Sequence, residues 1–140
     1  MQRYFENDEI FLFHGTKEEN IKRIINDGFQ LEKAGVGLLY GQGVYLSDSC
    51  QKADQYCDTT YRRRKEDLAM LVVRTALGRV GLFDSSKTFD FLSKSFDTII
   101  AGQGKRFCEI VKYDVTQLYP AYVIIYSRSY GAENGRSASV

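Results

Sequence analysis

Short apolar runs that predict β-strands recur along this 140-residue chain, and the segments between most of them are too short for crossover helices. Parallel strands need a connection of about a dozen residues or more, usually a helix, whereas antiparallel strands can be joined by tight turns. The pattern therefore favours an α+β fold with mainly antiparallel strands over a doubly wound fold. The predicted strands cover residues 10–14, 43–47, 68–77, 107–113 and 121–126.

Two segments have patterns that predict helices. In the first, Thr16 and Glu19 have the spacing of a capping box, and Gly28 follows the last helical position. The second runs from residue 50 to about residue 63. The apolar stripe of the first helix is formed by Ile21, Ile24 and Ile25.

The length of the chain suits a single domain with a real core. We expect that domain to cover residues 1–128 and the polar residues 129–140 to form a disordered tail. The glycine-rich residues 30–43 predict a loop, and residues 84–95 predict an irregular polar excursion.

Charge and composition exclude several classes of protein. Lys and Arg number 19 against 18 Asp and Glu, so the net charge gives no general attraction to nucleic acid or membranes. No apolar run reaches the roughly 18 residues of a membrane span, and the N-terminal residues are too polar for a signal peptide. Three cysteines without a CxxC pair argue against a disulfide framework or a zinc site and favour an intracellular setting.

Common catalytic motifs are also missing from the sequence. The glycines near residue 40 do not form the GxGxxG dinucleotide fingerprint, and the glycine–lysine pair at 104–105 lacks the rest of a P-loop. A single histidine cannot supply the HExxH pattern of zinc proteases, and no serine lies in GxSxG. These chemistries are therefore not expected.

A few polar residues stand out by their local pattern. His14, the only histidine, ends the first predicted strand directly before Gly15. Strand alternation places Glu109 on a face with apolar and aromatic residues, where a carboxylate is costly to bury without a partner. Tyr45 follows two nearby glycines that allow a flat ligand to come close, and Tyr56 lies on the next predicted helix.

Each of these residues taken alone also has a purely structural interpretation. His14 can be a hydrogen-bonded core or surface histidine, and the tyrosines can serve only in packing. Glu109 can lie at a strand edge and pair with Lys105 or Arg106. The individual residues therefore leave the function open.

Several stretches follow one another in the order found in a known enzyme family: HGT, YGQGVYLSDSCQKADQYC, MLVVRTALGRV, FDTIIAG and CEIVKYDVTQLYPAYVIIY. They resemble the catalytic domain of the poly(ADP-ribose) polymerase (PARP) family, diphtheria-toxin-like ADP-ribosyltransferases with a His-Tyr-Glu signature. The resemblance runs from about residue 9 to residue 127, and the signature falls on His14, Tyr45 and Glu109.

The resemblance implies the ADP-ribosyltransferase fold, with two mainly antiparallel sheets and a few flanking helices. It also implies an enzyme that cleaves the nicotinamide glycosidic bond of NAD and transfers ADP-ribose to a macromolecular acceptor. Glu109 is expected to stabilise the positive charge that develops on the ribose as nicotinamide leaves. NAD is the only cofactor implied, as a co-substrate, and no metal is expected.

The resemblance assigns the other site residues to the binding of NAD. The nicotinamide ring is expected between Tyr45 and Tyr56, and its carboxamide against the backbone of Gly15. A ribose hydroxyl of the adenosine half is expected on His14, with a further hydroxyl contact from Thr16.

One departure from the family pattern bears on affinity. The family usually carries a serine three residues before the second tyrosine, where this chain has Ala53. The loss of one hydrogen bond to the carboxamide, worth roughly 0.5–1.5 kcal/mol, predicts weaker NAD binding than in typical members. A catalytically weak NAD or ADP-ribose binding module therefore stays an alternative.

Two related enzyme classes fit less well. The tRNA 2′-phosphotransferases favour histidine where this chain has Tyr45, and they use arginines instead of a terminal glutamate. The arginine-specific toxins use Glu-x-Glu, which fails here because residue 107 is phenylalanine. The PARP resemblance is the better match.

The acceptor is the least defined part of the prediction. Short loops favour transfer of a single ADP-ribose over chain elongation, to a protein or a nucleic acid. A basic cluster either is a solvated helix end or contacts nucleic-acid phosphates; it consists of Arg62, Arg63, Arg64 and Lys65. We expect a monomer that does not bind membranes and acts inside cells, in the cytoplasm or nucleus, or after delivery as an effector.

Overall fold

A computed structural model describes residues 9–31, 39–58, 66–83, 93–102 and 107–128 of the chain. Within these ranges a short 3₁₀ turn, Val115–Gln117, precedes the last strand. The helices and strands are, in order, β1 (Glu9–His14), α1 (Glu18–Asp27), β2 (Val44–Leu46), α2 (Cys50–Asp54), β3 (Leu68–Ala76), β4 (Val80–Phe83), β5 (Thr98–Ala101), β6 (Glu109–Lys112) and β7 (Leu118–Tyr126).

The strands form two sheets, and most neighbours are antiparallel. One sheet has the order β1-β3-β7 and the other the order β2-β6-β5-β4, with β4 and β5 as the parallel pair. The backbones of Phe13 and Ser47 join the sheets, with N···O distances of 2.8 and 2.9 Å. The predicted α+β fold with mainly antiparallel sheets is confirmed.

The main core lies between the two sheets and α1. Burying a large aliphatic side chain contributes roughly 1.5–3 kcal/mol, so these positions hold the sheets together. The buried members come from α1, from β1 to β3, from β6 and from the start of β7; among them are Leu12, Ile21, Ile24, Val44, Leu46, Leu71, Val73, Ile110 and Leu118.

The predicted start of α1 was wrong. The helix begins after Lys17, which makes no side-chain cap, and the hydroxyl of Thr16 accepts a hydrogen bond from the Asn20 amide at 3.0 Å. That contact engages the hydroxyl that the capping box needed. Ile25 was wrongly placed in the apolar stripe, since its side chain is 51% exposed at the edge of the buried face.

The second predicted helix is shorter than expected in the described residues. α2 ends at Asp54, and residues 55–57 form a turn. The remainder of the predicted helix, residues 59–63, lies outside the described residues.

All five predicted strands are present, with ends that differ from the prediction by up to three residues, and two further strands among the described residues were missed. β4 and β5 were missed, because four-residue strands beside polar segments carry little alternation. β7 begins three residues earlier than predicted and includes Pro120. A proline, which has no backbone N–H, is tolerated there because β7 is an edge strand of its sheet. The register shift between Val72 and Val73 lies opposite this proline.

Several predictions concern residues outside the described ranges. They include parts of the predicted loop and polar excursion, the basic cluster Arg62 to Lys65, and the tail 129–140. The single domain over residues 1–128 stays a prediction. Neither α1 nor α2 is long and apolar enough to cross a bilayer.

Candidate active site

An open cleft lies where β1, β2, α2 and β6 meet. Five of the sequence-predicted site residues line this cleft, together with Lys52: Gly15, Tyr45, Ala53, Tyr56 and Glu109.

The junction of the two sheets positions the floor of the cleft. The bridge between Phe13 and Ser47 sets the end of β1 beside the end of β2. The Ser47 hydroxyl donates to the backbone carbonyl of Cys108 at 3.1 Å, which fixes the residue before Glu109. Tyr45 pairs with Val111 in the β2–β6 ladder, two residues from Glu109 on β6, so Tyr45 and Glu109 lie close together.

Gly15 lets α2 pack directly on the chain that leaves β1. A Cβ atom at this position would lie 1.7 Å from the carbonyl oxygen of Ala53. The sequence interpretation explained the glycine by the approach of a ligand. The structure gives it a packing reason as well, since a backbone carbonyl occupies the space of the side chain.

His14 and Thr16 lie beside the cleft rather than among the described residues that line it. The Nδ1 atom of His14 donates to the Tyr45 carbonyl at 2.8 Å, and its ring meets Phe29 edge-on at 5.2 Å. Burial lowers the pKa of His14, and the bond to Tyr45 opposes this shift without cancelling it. The imidazole is therefore neutral at pH 7, with Nε2 as a hydrogen-bond acceptor.

The hydroxyl of Tyr45 holds the turn that leads into β2. It accepts from the backbone N–H of Tyr40 at 2.8 Å and donates to the carbonyl of Gly41 at 3.0 Å. Tyr113 donates to the Tyr40 carbonyl at 2.5 Å and anchors the same turn. Burial raises the pKa of Tyr45, so the hydroxyl stays protonated, and its contribution to the cleft is the ring.

Glu109 contacts two side chains, one from α2 and one from the turn that follows it. Its Oε1 atom accepts a long hydrogen bond from the Tyr56 hydroxyl at 3.4 Å and lies 3.6 Å from Lys52 Nζ. The Lys52 ammonium is also 5.8 Å from the centre of the Tyr56 ring. Lys105 and Arg106, the alternative partners expected from the sequence, lie outside the described residues.

Lys52 is the site residue that the sequence analysis missed. It stands four residues before Tyr56, a spacing that places two side chains on one face of a helical segment. That spacing could have pointed to Lys52 once Tyr56 was singled out. Its nearness to Glu109 depends on how α2 crosses β6, which no local pattern reveals.

The arrangement can hold a flat ring and stabilise a nearby cation. Two tyrosines line the cleft, and a carboxylate with an ammonium beside it lies at one end. Among the residues that the structure describes, no group of three or more histidine, cysteine or acidic side chains could hold a metal ion.

Comparison of the sequence with known proteins identifies a family and several relatives. The sequence model of the family described as "Poly(ADP-ribose) polymerase catalytic domain" matches residues 1–112. The poly(ADP-ribose) polymerase tankyrase of Caenorhabditis elegans is 36% identical over 83 residues, which cover 57% of this chain and 4% of that protein. Poly(ADP-ribose) polymerase 1 of Arabidopsis thaliana is 30% identical over 87 residues, which cover 59% of this chain and 8% of that protein. This chain thus spans less than a tenth of the length of these relatives.

Proposed function

The chain belongs to the poly(ADP-ribose) polymerase catalytic domain family, and on that basis we propose that it is a NAD-dependent ADP-ribosyltransferase. It cleaves the bond between nicotinamide and ribose and transfers ADP-ribose to a macromolecular acceptor. The observation that carries this proposal is that Tyr45, Tyr56 and Glu109 line the same cleft.

Nicotinamide binds between the two tyrosines in this proposal. The Tyr45 ring is held by the bonds of its hydroxyl, and the Tyr56 ring by the position of α2. Aromatic pairs stacked with an offset contribute roughly 0.5–1.5 kcal/mol each beyond the burial of their area. The carboxamide meets the backbone of Gly15 at the end of the cleft formed by β1.

Glu109 stabilises the charge that forms as the bond breaks. The electron pair of the C–N bond leaves with nicotinamide, whose ring becomes neutral, and the ribose carbon takes on oxocarbenium character. A fixed carboxylate favours this transition state over the ground state. The acceptor nucleophile then forms the new bond to that carbon, and its proton is released to water. Lys52, 3.6 Å from Oε1, orients the carboxylate in this proposal.

His14 binds and orients, and does not transfer protons. Its neutral ring presents Nε2 as an acceptor for a ribose hydroxyl of the adenosine half. Thr16 lies two residues further along the chain and adds a hydroxyl nearby. These contacts hold the adenosine half of NAD, which extends beyond the cleft.

The finer points of the proposal concern the acceptor and the setting. We favour transfer of a single ADP-ribose, to protein or nucleic acid, by a monomer that acts inside cells. The three cysteines, all of them free, support a reducing compartment.

Removal of the Glu109 charge tests the proposal. The Glu109→Gln variant keeps the shape of the side chain, so we expect it to fold and to release nicotinamide from NAD roughly 100-fold more slowly or worse. The assay measures free nicotinamide in the presence of protein, RNA or DNA acceptors. Glu9→Gln is the matched control, because Glu9 pairs with Arg74 at the other end of β1.

Two outcomes would contradict the proposal in different ways. Wild-type turnover by Glu109→Gln would remove Glu109 from the reaction. NAD binding by the wild-type protein without nicotinamide release would support the alternative of a binding module, which Ala53 favours.

A further inference from the structure

Helix α2 forms one wall of the cleft, although it spans only five residues. Lys52 and Ala53 lie on it, and Tyr56 lies in the turn that follows. So short a helix is marginal by itself, and Ser49 at its N-cap makes no side-chain hydrogen bond to it. Contacts with the rest of the fold must therefore fix its position.

Two residues near the end of the described chain hold Asp54, the last residue of α2. Arg128 Nε donates to both carboxylate oxygens, at 2.8 and 2.9 Å, and the Tyr126 hydroxyl donates to the same carboxylate. A terminal nitrogen of Arg128 donates to the backbone carbonyl of Asp54 at 3.1 Å. Only 6% of the Arg128 side chain is exposed, so water screens this contact weakly.

The guanidinium thus works as a cap at the C-terminal end of α2. The last carbonyls of a helix lack partners within it, and a cation at this end also meets the negative end of the helix dipole. Arg128 brings the positive charge from a position 74 residues further along the chain, and it adds a second donor to the Asp54 carbonyl, which also accepts from the Cys57 N–H at 3.1 Å. It thereby ties α2 to the end of β7.

The contact matters for the cleft because its two walls belong to different parts of the fold. Arg128 follows β7 in the first sheet, whereas Glu109 lies on β6 in the second sheet. The distances from Glu109 to Tyr56 and Lys52, 3.4 and 3.6 Å, are already long for polar contacts. A small shift of α2 would break both of them.

We propose that Arg128 is a positioning residue for this cleft, an inference that rests on the proposed ADP-ribosyl transfer. By holding Asp54 it sets the Tyr56 ring over the nicotinamide site and keeps Lys52 beside Glu109. Ala53 also packs with Cys57 and Met70 in a small buried cluster. We therefore expect the protein to keep its fold without Arg128, with a looser wall.

The test compares Arg128→Met with the matched control Arg74→Met. Arg74 also lies in the first sheet and donates twice to a carboxylate, at 2.8 and 2.6 Å to Glu9, but away from the cleft. We expect Arg128→Met to lower kcat/KM for NAD roughly tenfold or more and to weaken inhibition by free nicotinamide, since misplaced groups cost rate steeply. Arg128→Lys should recover part of the kcat/KM and part of the nicotinamide inhibition, and Arg74→Met should match the wild type in both.

Each result has a defined meaning. If the wild-type protein releases no nicotinamide, the proposed function fails before the role of Arg128 is reached. If it does and Arg128→Met matches Arg74→Met in kcat/KM and in nicotinamide inhibition, the positioning role is overturned. If thermal unfolding shows that Arg128→Met does not fold, Arg128→Gln decides in the same assay: it removes the charge but keeps a polar side chain, and wild-type kinetics would overturn the proposal.

Discussion

Glu109 shares its cleft with a basic side chain, and the two were not equally visible in the sequence. Alternation along the predicted strand and the His-Tyr-Glu signature of the family located Glu109, because both are read directly from the sequence. Its contact with Lys52 joins residues 57 positions apart and depends on tertiary packing. The N···O distance of 3.6 Å is long, and 24% and 22% of the two side chains stay exposed, so we assign Lys52 to the orientation of the carboxylate and not to stability.

Ala53 gives a prediction about affinity at the scale of one hydrogen bond. The residue is buried and lines the cleft, where the family usually carries a serine. We expect Ala53→Ser to bind NAD about 2- to 10-fold more tightly, the equivalent of roughly 0.5–1.5 kcal/mol, through a hydroxyl near the carboxamide. Calorimetric titration with NAD measures this, with Ala69→Ser in β3 as the control for an added hydroxyl. Equal affinities for Ala53→Ser and the wild type would show that the missing serine is not the limit on binding.

At the scale of elements, the junction of β1 and α2 depends on the absence of a side chain at Gly15. The sequence marked this glycine through its place after His14, but it could not show the carbonyl of Ala53 in the space of a Cβ. Such a contact joins two elements whose relative position no local periodicity encodes. The parallel pairing of β4 with β5 is a contact of the same kind, since it joins two separate segments.

We expect Gly15→Ala to lower both stability and nicotinamide binding. The new methyl group meets backbone, which cannot rotate away, so α2 must move at a cost of about 1–3 kcal/mol. Gly81→Ala is the control, because Gly81 lies on β4 at the far edge of the second sheet, where the methyl group would meet the rings of Phe83 and Phe96. Urea unfolding and nicotinamide inhibition separate the effects: both variants should lose stability, and Gly15→Ala alone should lose inhibition. Unchanged stability of Gly15→Ala would mean that α2 does not pack closely against Gly15.

At the scale of the whole molecule, one buried lysine connects the two sheets. Lys112 lies on β6 with no exposed surface, and its ammonium donates to the Ala76 carbonyl at 2.6 Å, to the Thr98 hydroxyl at 2.8 Å and to the Gln117 side chain. Its three protons therefore have partners from β3, β5 and the 3₁₀ turn. Lys112 was not singled out in the sequence, because its partners Ala76, Thr98 and Gln117 come from separate segments that only the fold brings together.

Lys112 should make the stability of the protein rise with pH in the alkaline range. Burial lowers its pKa from 10.5 to about 8, against the opposing pull of Asp97 and Asp114. Between pH 8 and 10.5 the unfolded chain keeps a proton that the folded protein gives up, so this group's contribution to the free energy of unfolding increases with pH. From pH 8 to 9.5 we expect the wild type to gain roughly 1–2 kcal/mol relative to Lys112→Met, in which the tyrosines titrate equally. Urea unfolding of both proteins measures the difference, and a value that does not change with pH would show that the ammonium keeps its ordinary pKa among its three acceptors.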